Sequence, residues 1–197
     1  MVGEWYLRSR SAHRDPQVIE AYRRLQVETD HLFTVLTRDA RHPAVRVVFT
    51  RCAGPYETDE ELIFAVRASG TLEITSAAVA GKRLHPLFDC EFGGEFDRFR
   101  AVHDLIGQAW CGYGFDLDGE CAAWCAQDRL HSGPARLALA TELYGVNAAR
   151  GILGEAPDLR ALLLTPSARS GLFVSSTPNE GCRGPSACGS TGAEDGP

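Results

Sequence analysis

Apolar side chains recur at helical spacing over residues 16 to about 39, and this is the clearest pattern near the start of the chain. The positions that carry it are Ile19, Tyr22, Leu25, Leu32, Val35 and Leu36. Apolar residues at this spacing lie on one face of a helix. Asp15 and Pro16 fit the start of that helix, because an acceptor side chain suits the N-cap and proline suits the first turn. We therefore predict one long helix here.

Two short segments with the composition of strands flank the next predicted helix. Residues 44–50 are rich in β-branched side chains, and Thr71–Thr75 alternates apolar and polar positions. Between them, Thr58 and Glu61 fit a capping box, in which two side chains bind the free N–H groups of a helix start. Gly70 fits the end of the same helix. The pattern predicts a helix from Thr58 to Gly70 beside a small two-stranded sheet.

Helical patterns return in the second half of the chain. Asp116 suits an N-cap, and the run from Ser132 to Pro134 suits another helix start. Gly107 interrupts one of the predicted helices, and we expect a distortion close to it. The expected helical ranges are 96–110, 116–125, 132–153 and 157–164.

The composition of the chain changes after Pro166. Ser, Gly, Pro, Thr and Glu then dominate, and large apolar residues are absent after Val174. Such a segment cannot bury enough apolar surface to order itself. We predict a single globular domain over residues 1–164 and a flexible, low-complexity tail over residues 165–197. The domain is expected to be α+β and mostly helical, with a helical core and a small two-stranded sheet.

Composition and charge narrow the function classes. The chain has 197 residues, 44% of them hydrophobic, which allows one well-buried core. A formal net charge of −6 provides no basic surface for gripping a nucleic-acid backbone. No apolar run is long enough to span a bilayer, and the first residues lack the apolar region of a secretory signal. We expect a cytoplasmic protein that acts on a small molecule and binds neither nucleic acid nor membrane.

The first candidate for chemistry is His103 with the adjacent Asp104. On a helix His103 shares a face with four apolar residues and is therefore predicted to point toward the core. These apolar residues are Phe99, Val102, Ile106 and Trp110. A core histidine bound to a backbone carbonyl and a metal ligand both fit this position.

The second candidate is Glu142, which interrupts a helix of apolar and small residues. It lies on one narrow stripe with Ala138, Gly145 and Ala149. Burying an unpaired carboxylate in such a stripe is costly, so a partner is expected. A metal ion and an arginine, such as Arg136 or Arg150, fit equally well. In the helix between the two candidates, Glu120 occupies the first turn, where an acidic group also complements the helix dipole.

Several short motifs resemble an uncharacterised family of actinobacterial and phage proteins. They are Phe99-Arg100-Ala101-Val102-His103-Asp104-x-x-Gly107, Gly119-Glu120 and Thr141-Glu142, with His85-Pro86 and Ala21-Tyr22 upstream. The resemblance covers most of residues 1–164 and implies no established activity.

A more distant resemblance is to the pterin-dependent aromatic amino acid hydroxylases. That family carries His-Glu-Leu-Leu-Gly-His and a later Thr-Val-Glu-Phe-Gly-Leu, which are similar to residues 103–108 and 140–145 here. The resemblance implies a mononuclear site for a divalent metal, with Fe(II) and oxidative chemistry as in the family. It implies the metal ligands His103, Gln108 and Glu142, with Asp104 and Glu120 as catalytic groups beside them.

Gln108 departs from that family, which has a second histidine there. Two histidines and one carboxylate hold iron with open positions for oxygen and substrate. A glutamine oxygen is a weaker ligand, so we expect a lower affinity and a shift toward harder ions, or a degenerate site. Residues five apart diverge on a regular helix, so His103 and Gln108 converge only if the helix is distorted or ends near Gly107.

Two further functions stay open beside a metal-dependent enzyme. The adjacent His103 and Asp104 also fit a metal-dependent phosphohydrolase of the HD type, with His85 and Asp158 as the further metal-binding groups. Gln108 instead favours a non-catalytic binding or scaffold protein descended from an enzyme. In that case His103 and Glu142 bond to each other or to arginines.

Overall fold

The elements of the fold come from a computed structural model that describes residues 1–38, 44–79 and 85–164. The predicted tail, residues 165–197, and the predicted end of the first long helix at Asp39 lie outside these residues. The helices are α1 (Val2–Arg8), α2 (Pro16–Arg38), α3 (Asp59–Ser69), α4 (Glu95–His103), α5 (Leu117–Asp128), α6 (Gly133–Ala140) and α7 (Val146–Leu153). The strands are β1 (Arg46–Thr50) and β2 (Thr71–Thr75). The predicted class, α+β and mostly helical, is confirmed.

Helix α2 is the central element of the helical core. Its start is capped as predicted, since the Gln17 N–H donates to Asp15 Oδ1 at 2.8 Å. It packs against α4 and α6 and buries Tyr22 and Leu25. The predicted apolar face is therefore the face that contacts the rest of the core, although Ile19 at its edge is 43% exposed.

The two strands form the predicted sheet, and they are parallel. Arg46 pairs with Thr71 and Thr50 pairs with Thr75, with α3 as the crossover between the strands. Thr58 caps α3 by accepting from the Glu61 N–H, and Gly70 ends it in the left-handed conformation that glycine adopts without strain.

A second apolar cluster lies under this sheet. It joins β2 and α3 to α4 and the segment that follows α4, through Leu62, Val66, Leu72, Ile74, Val102 and Leu105.

Two helical runs contain a wider, π-helical turn. Asp104–Trp110 continues directly from α4, and Thr141–Gly145 joins α6 to α7. The long helices predicted over 96–110 and 132–153 are therefore continuous runs with an irregular segment inside each. No helix in the described ranges is both long and apolar enough to cross a membrane.

The short helix predicted over residues 157–164 is wrong. This segment forms neither helix nor strand, because its backbone groups bind other parts of the chain in place of residues four positions away. The Ala12 N–H donates to the Ala161 carbonyl at 2.8 Å, and the Leu164 N–H donates to Thr141 Oγ1 at 3.0 Å. Arg160 in the same segment donates to three carbonyls at the end of α1, those of Tyr6, Leu7 and Ser9. Helix α1 was not predicted.

Glu28 on α2 holds the start of α6. Its carboxylate accepts from the Ser132 N–H at 3.0 Å and from the Ser132 hydroxyl, and it lies 3.0 Å from His131 Nδ1. Partial burial raises the pKa of Glu28, but the hydrogen bonds from Ser132 and His131 outweigh burial and lower it below the ordinary value. The charged carboxylate is therefore the form that stabilises the fold.

We expect Glu28→Gln to lower the free energy of unfolding at pH 7 by about 1–2 kcal/mol. The folded-state pKa lies below the unfolded value of about 4.3, so this contribution is complete above that pH and is lost as the pH falls through the folded pKa. Urea unfolding at pH 7 and near pH 4 measures it. The control is Glu20→Gln, whose carboxylate pairs with arginines of the same helix surface and should change stability by less than about 0.5 kcal/mol. A pH-independent difference contradicts the assignment.

Candidate functional site

A cavity of about 620 Å³ lies between the sheet and the C-terminal helices. Its wall includes the five side chains that the resemblance to the aromatic amino acid hydroxylases implied for a metal site. These are His103, Asp104, Gln108, Glu120 and Glu142. Residues from α4, α5 and both π-helical segments thus meet around one space, of a size that suits a small organic ligand.

The π-helical turn after α4 brings His103 and Gln108 together. Backbone hydrogen bonds in such a turn span five residues, as between the Cys111 N–H and the Ile106 carbonyl at 3.2 Å. Side chains five positions apart then share a face, and Gln108 Nε2 lies 3.3 Å from His103 Nε2. The distortion expected near Gly107 is confirmed.

Gly107 also lets α5 approach the π-helical turn. A Cβ atom built on Gly107 would lie 2.5 Å from the Cβ of Ala123 on α5. No side chain larger than hydrogen fits there without moving a helix. This close contact brings Glu120, one turn before Ala123, within reach of His103.

His103 is the centre of a buried hydrogen-bond network. Its Nε2 lies 3.0 Å from Glu120 Oε2, and its Nδ1 lies 3.3 Å from Gln127 Oε1. Glu120 also accepts from Gln108 Nε2 at 3.3 Å and from Asn147 Nδ2 at 3.0 Å. We call these five residues the His103 cluster. Gln127 and Asn147 were not predicted, since neither stands out in sequence from an ordinary polar helix residue.

Glu120 controls the protonation of His103. Burial by itself lowers the pKa of His103, but the hydrogen bond and charge of Glu120, together with Asp104, raise it above its ordinary value. When His103 is protonated, its two N–H groups donate to Gln127 Oε1 and Glu120 Oε2. When it is neutral with hydrogen on Nδ1, the bond to Gln127 leaves the Nε2 lone pair directed at Glu120 and Gln108. The cluster can therefore hold a proton or a cation between these groups.

Asp104 is half-buried at the wall of the same cavity. Burial raises the pKa of Asp104 to about 6, although the positive charges of His103 and Arg100 oppose the rise. A carboxyl group with this pKa is present in both protonation states near neutral pH. It can exchange a proton with a ligand in the cavity, which is what general acid–base chemistry requires.

Glu142 belongs to a different hydrogen-bond cluster. The Tyr22 hydroxyl donates to Glu142 Oε1, and His85 Nε2 lies 3.1 Å from the same oxygen. His85 Nδ1 accepts from the N–H groups of Leu87 and Phe88, each at 3.0 Å, so the hydrogen of the neutral ring is on Nε2 and points at Glu142. We call Tyr22, His85 and Glu142 the Glu142 cluster. Its carboxylate and imidazole are almost completely buried.

Glu142 therefore has hydrogen-bond partners that compensate its burial, and among the described residues these are Tyr22 and His85. Burial and the negative charge of Glu142 raise the pKa of Tyr22 well above its ordinary value, which keeps the phenol protonated as a donor. Arg136, a predicted partner, pairs with Asp128. His85 and Tyr22 were visible in sequence as parts of the motifs His85-Pro86 and Ala21-Tyr22, but nothing connected either of them to Glu142.

Two separate clusters thus reach the cavity wall, one through His103, Gln108, Glu120 and Asn147 and the other through Glu142. The hydrogen bonds of His103 go to Glu120 and Gln127, and those of Glu142 go to Tyr22 and His85. Asp158, the further acid of the phosphohydrolase hypothesis, is exposed and lies outside the residues that line the cavity. Glu120 is the carboxylate that meets His103.

We expect Gly107→Ala to push α5 away from the π-helical turn. The added methyl group should lower the free energy of unfolding by about 1–3 kcal/mol. The pKa of His103, followed by NMR, should fall, because burial persists while the contact with Glu120 is lost. Adding Ala123→Gly removes the opposing methyl group. It should restore part of the free energy of unfolding and part of the pKa of His103, so the effects of the two substitutions are expected to be non-additive. Simple additivity would show that the Gly107–Ala123 contact does not separate these helices.

We expect Glu142→Ala to lower the free energy of unfolding by about 3–5 kcal/mol, since the Tyr22 hydroxyl and the His85 N–H lose their acceptor. Glu142→Gln is the matched control. It keeps an oxygen for both donors and should cost less than about 2 kcal/mol. Urea unfolding at pH 7 compares the two, and equal losses would mean that hydrogen bonding does not hold this cluster.

Comparison with protein-family models, curated proteins and solved structures finds no significant match for this chain. The chemistry of the cavity is therefore inferred from its own side chains and their distances.

Proposed function

We propose that the cavity is the active site of a divalent-metal-dependent enzyme that acts on a small organic molecule. The ligands in this proposal are His103, Gln108 and Glu120. Glu120 takes the position that the sequence assigned to Glu142, because Glu120 is the carboxylate in contact with His103.

The separations within the His103 cluster support the proposal. The three side chains approach one another at 3.0–3.3 Å. Ligands held at about 2.1 Å from one ion stand about 3 Å apart in neighbouring positions. A divalent cation therefore fits among them with small side-chain movements.

The observation that carries the proposal is a buried acceptor without a donor. Gln108 is 1% exposed, and its Oε1 has no hydrogen-bond partner, whereas its Nε2 faces His103 and Glu120. The oxygen and nitrogen of an amide side chain exchange places by rotation about its last bond. In the exchanged orientation Oε1 faces His103 Nε2 and Glu120, so that all three could share a cation, and Nε2 takes the position in which the oxygen has no partner.

Gln108 is essential to this proposal. Across the described ranges, no group of three or more His, Cys, Asp or Glu side chains is arranged to hold a metal ion. An imidazole and a carboxylate alone bind a divalent cation weakly, so the amide oxygen has to complete the set. Oxygen-rich coordination of this kind suits Mn²⁺ or Fe²⁺ better than a thiolate-preferring ion.

The groups around the proposed ligands hold them in place. Gln127 Oε1 accepts from His103 Nδ1, which orients the ring, and Asn147 donates to Glu120 Oε2. Such outer hydrogen bonds fix the orientation of ligands at metal sites. When bound, the ion would supply Lewis-acid chemistry, or oxidative chemistry if it is iron. Asp104 would take or return a proton at its carboxyl oxygen on the substrate side of the cavity.

A non-catalytic binding protein is the second candidate. It is favoured by the His103–Glu120 contact, which satisfies both charges when the histidine is protonated. In this case the cavity binds a ligand and His103 has a structural role.

Metal titration of tag-free protein separates the two functions. Mn²⁺ binding, followed by electron paramagnetic resonance, should weaken at least tenfold in His103→Ala and Glu120→Gln, since each removes a ligand. Glu142→Gln, a carboxylate-to-amide change in the other cluster, should leave the affinity unchanged. Gln108→His should tighten binding. Equal binding by wild type and His103→Ala, or loss in Glu142→Gln with retention in Glu120→Gln, would overturn the assignment.

A further inference from the structure

The cavity lies at the carboxyl ends of both strands of the sheet. Of the residues that line it, 53–56 follow β1, and 74–77 form the end of β2 and the turn after it. Because β1 and β2 are parallel, their carboxyl ends meet at the same edge of the sheet. Ligands of parallel sheets commonly bind outside this edge. The position of the cavity in the fold therefore points to a ligand, independently of the charges in its wall.

Arg100 on α4 brings a guanidinium group to this edge of the sheet. Its Nη1 donates at 2.6 Å to the carbonyl of Thr75, the last residue of β2, and this bond holds the side chain in place. Arg100 is half-buried and lines the cavity. A guanidinium has five N–H donors, and the described residues give Arg100 no second acceptor and no ion pair. Its remaining donors are available to a group in the cavity.

Arg150 is a second guanidinium in the same wall. It lies on α7, one turn after Asn147, and both residues line the cavity. The side chain of Arg150 is exposed, and within the described ranges nothing accepts a hydrogen bond from it. Two arginines from different helices thus face this space without an anionic partner in the described part of the chain.

The carboxylates of the wall do not neutralise these arginines in ion pairs. Glu120 and Glu142 are bonded within their own clusters. Glu73 is exposed, and Asp104 attracts Arg100 only over a longer distance. Two arginines and two carboxylates leave the open part of the wall close to neutral. It therefore accommodates the single charge of a carboxylate more readily than the double charge of a phosphate.

We infer that Arg100 binds the carboxylate of an organic acid, and that such an acid is the substrate of this cavity. A planar carboxylate matches the fork of guanidinium donors. The apolar part of the acid lies against three aromatic rings that also line the cavity, those of Phe96, Phe99 and Phe115. His103 follows Arg100 by three positions on α4, so the bound acid reaches the proposed metal ligands within one helical turn. The inference rests on the proposed function in that it names the substrate class of the same site.

A matched pair of probes tests the inference: 3-phenylpropionate and 3-phenylpropanamide, which have the same shape and differ in charge. Each is titrated by calorimetry into full-length, metal-free protein at pH 7. The acid should bind at least tenfold more tightly than the amide, because only the acid forms charge-assisted hydrogen bonds with Arg100. Equal binding of the two, or no measurable binding of the acid, would overturn the inference. Tighter binding of 2-phenylethyl phosphate than of the acid would also overturn it, in favour of a phosphate ligand.

Variants locate the carboxylate. Arg100→Gln should weaken binding of the acid at least tenfold and leave binding of the amide unchanged, whereas a merely structural defect would weaken both. The control is Arg24→Gln, which removes an arginine paired with Glu20 on the surface of α2 and should change neither affinity. Arg150→Gln removes the second positive charge of the wall and should weaken binding of the acid several-fold. An unchanged preference for the acid in folded Arg100→Gln, or in Arg150→Gln where the first variant does not fold, contradicts the inference.

The metal titration distinguishes the two proposals. Binding of the acid that depends on Arg100, in a protein that takes up no Mn²⁺, would support this inference and overturn the metal-dependent function. Mn²⁺ binding that depends on His103 and Glu120, without binding of the acid, would overturn this inference alone.

Discussion

The close contact between Gly107 and Ala123 is the constraint on which the site depends. It brings α5 against the π-helical turn, where a Cβ on Gly107 would lie 2.5 Å from the Ala123 Cβ. Because the helices meet so closely, Glu120 reaches His103 across the interface. The wider π-helical turn then adds Gln108 to the same point. A regular α-helix at this position would direct His103 and Gln108 to different sides.

Two buried carboxylates in one cavity are compensated in different ways. Glu142 Oε1 is bonded by a phenol and by an imidazole whose tautomer two backbone N–H groups determine. Glu120 is bonded by His103, Gln108 and Asn147, and one of these side chains has a buried oxygen without a donor. The incomplete cluster is the better place to expect a ligand, because an unpaired buried group is stabilised by whatever supplies its partner.

The rest of the fold holds these elements in position. Helix α2 packs on both α4 and α6, and it carries Tyr22 into the Glu142 cluster. Residues 156–164 are held by hydrogen bonds to distant elements: Arg160 donates to the carbonyls at the end of α1, and Thr141 binds the backbone at Leu162 and Leu164. The cavity itself is lined by residues between Ala53 and Leu159.

Local patterns in the sequence determined most elements of the fold. Apolar periodicity and capping residues act within a few positions of one another, which is why α2, α3 and the two strands were predictable from their own residues. The same local information identified His103, Asp104 and Glu142, while the resemblance to the aromatic amino acid hydroxylases implied Gln108 and Glu120 beside them. It failed for residues 157–164, whose helical pattern is overridden by hydrogen bonds to α1 and Thr141, far away in the chain.

Tertiary structure alone decided how the site residues pair. Glu120 and Glu142 both lie on helices with small neighbours, and sequence spacing does not tell which of them approaches His103. The Gly107–Ala123 contact brings Glu120 to His103. His85 and Tyr22, from distant segments, hydrogen-bond to Glu142. A carboxylate's partner depends on the packing of helices against one another, and this packing is set by contacts between residues that no local pattern connects.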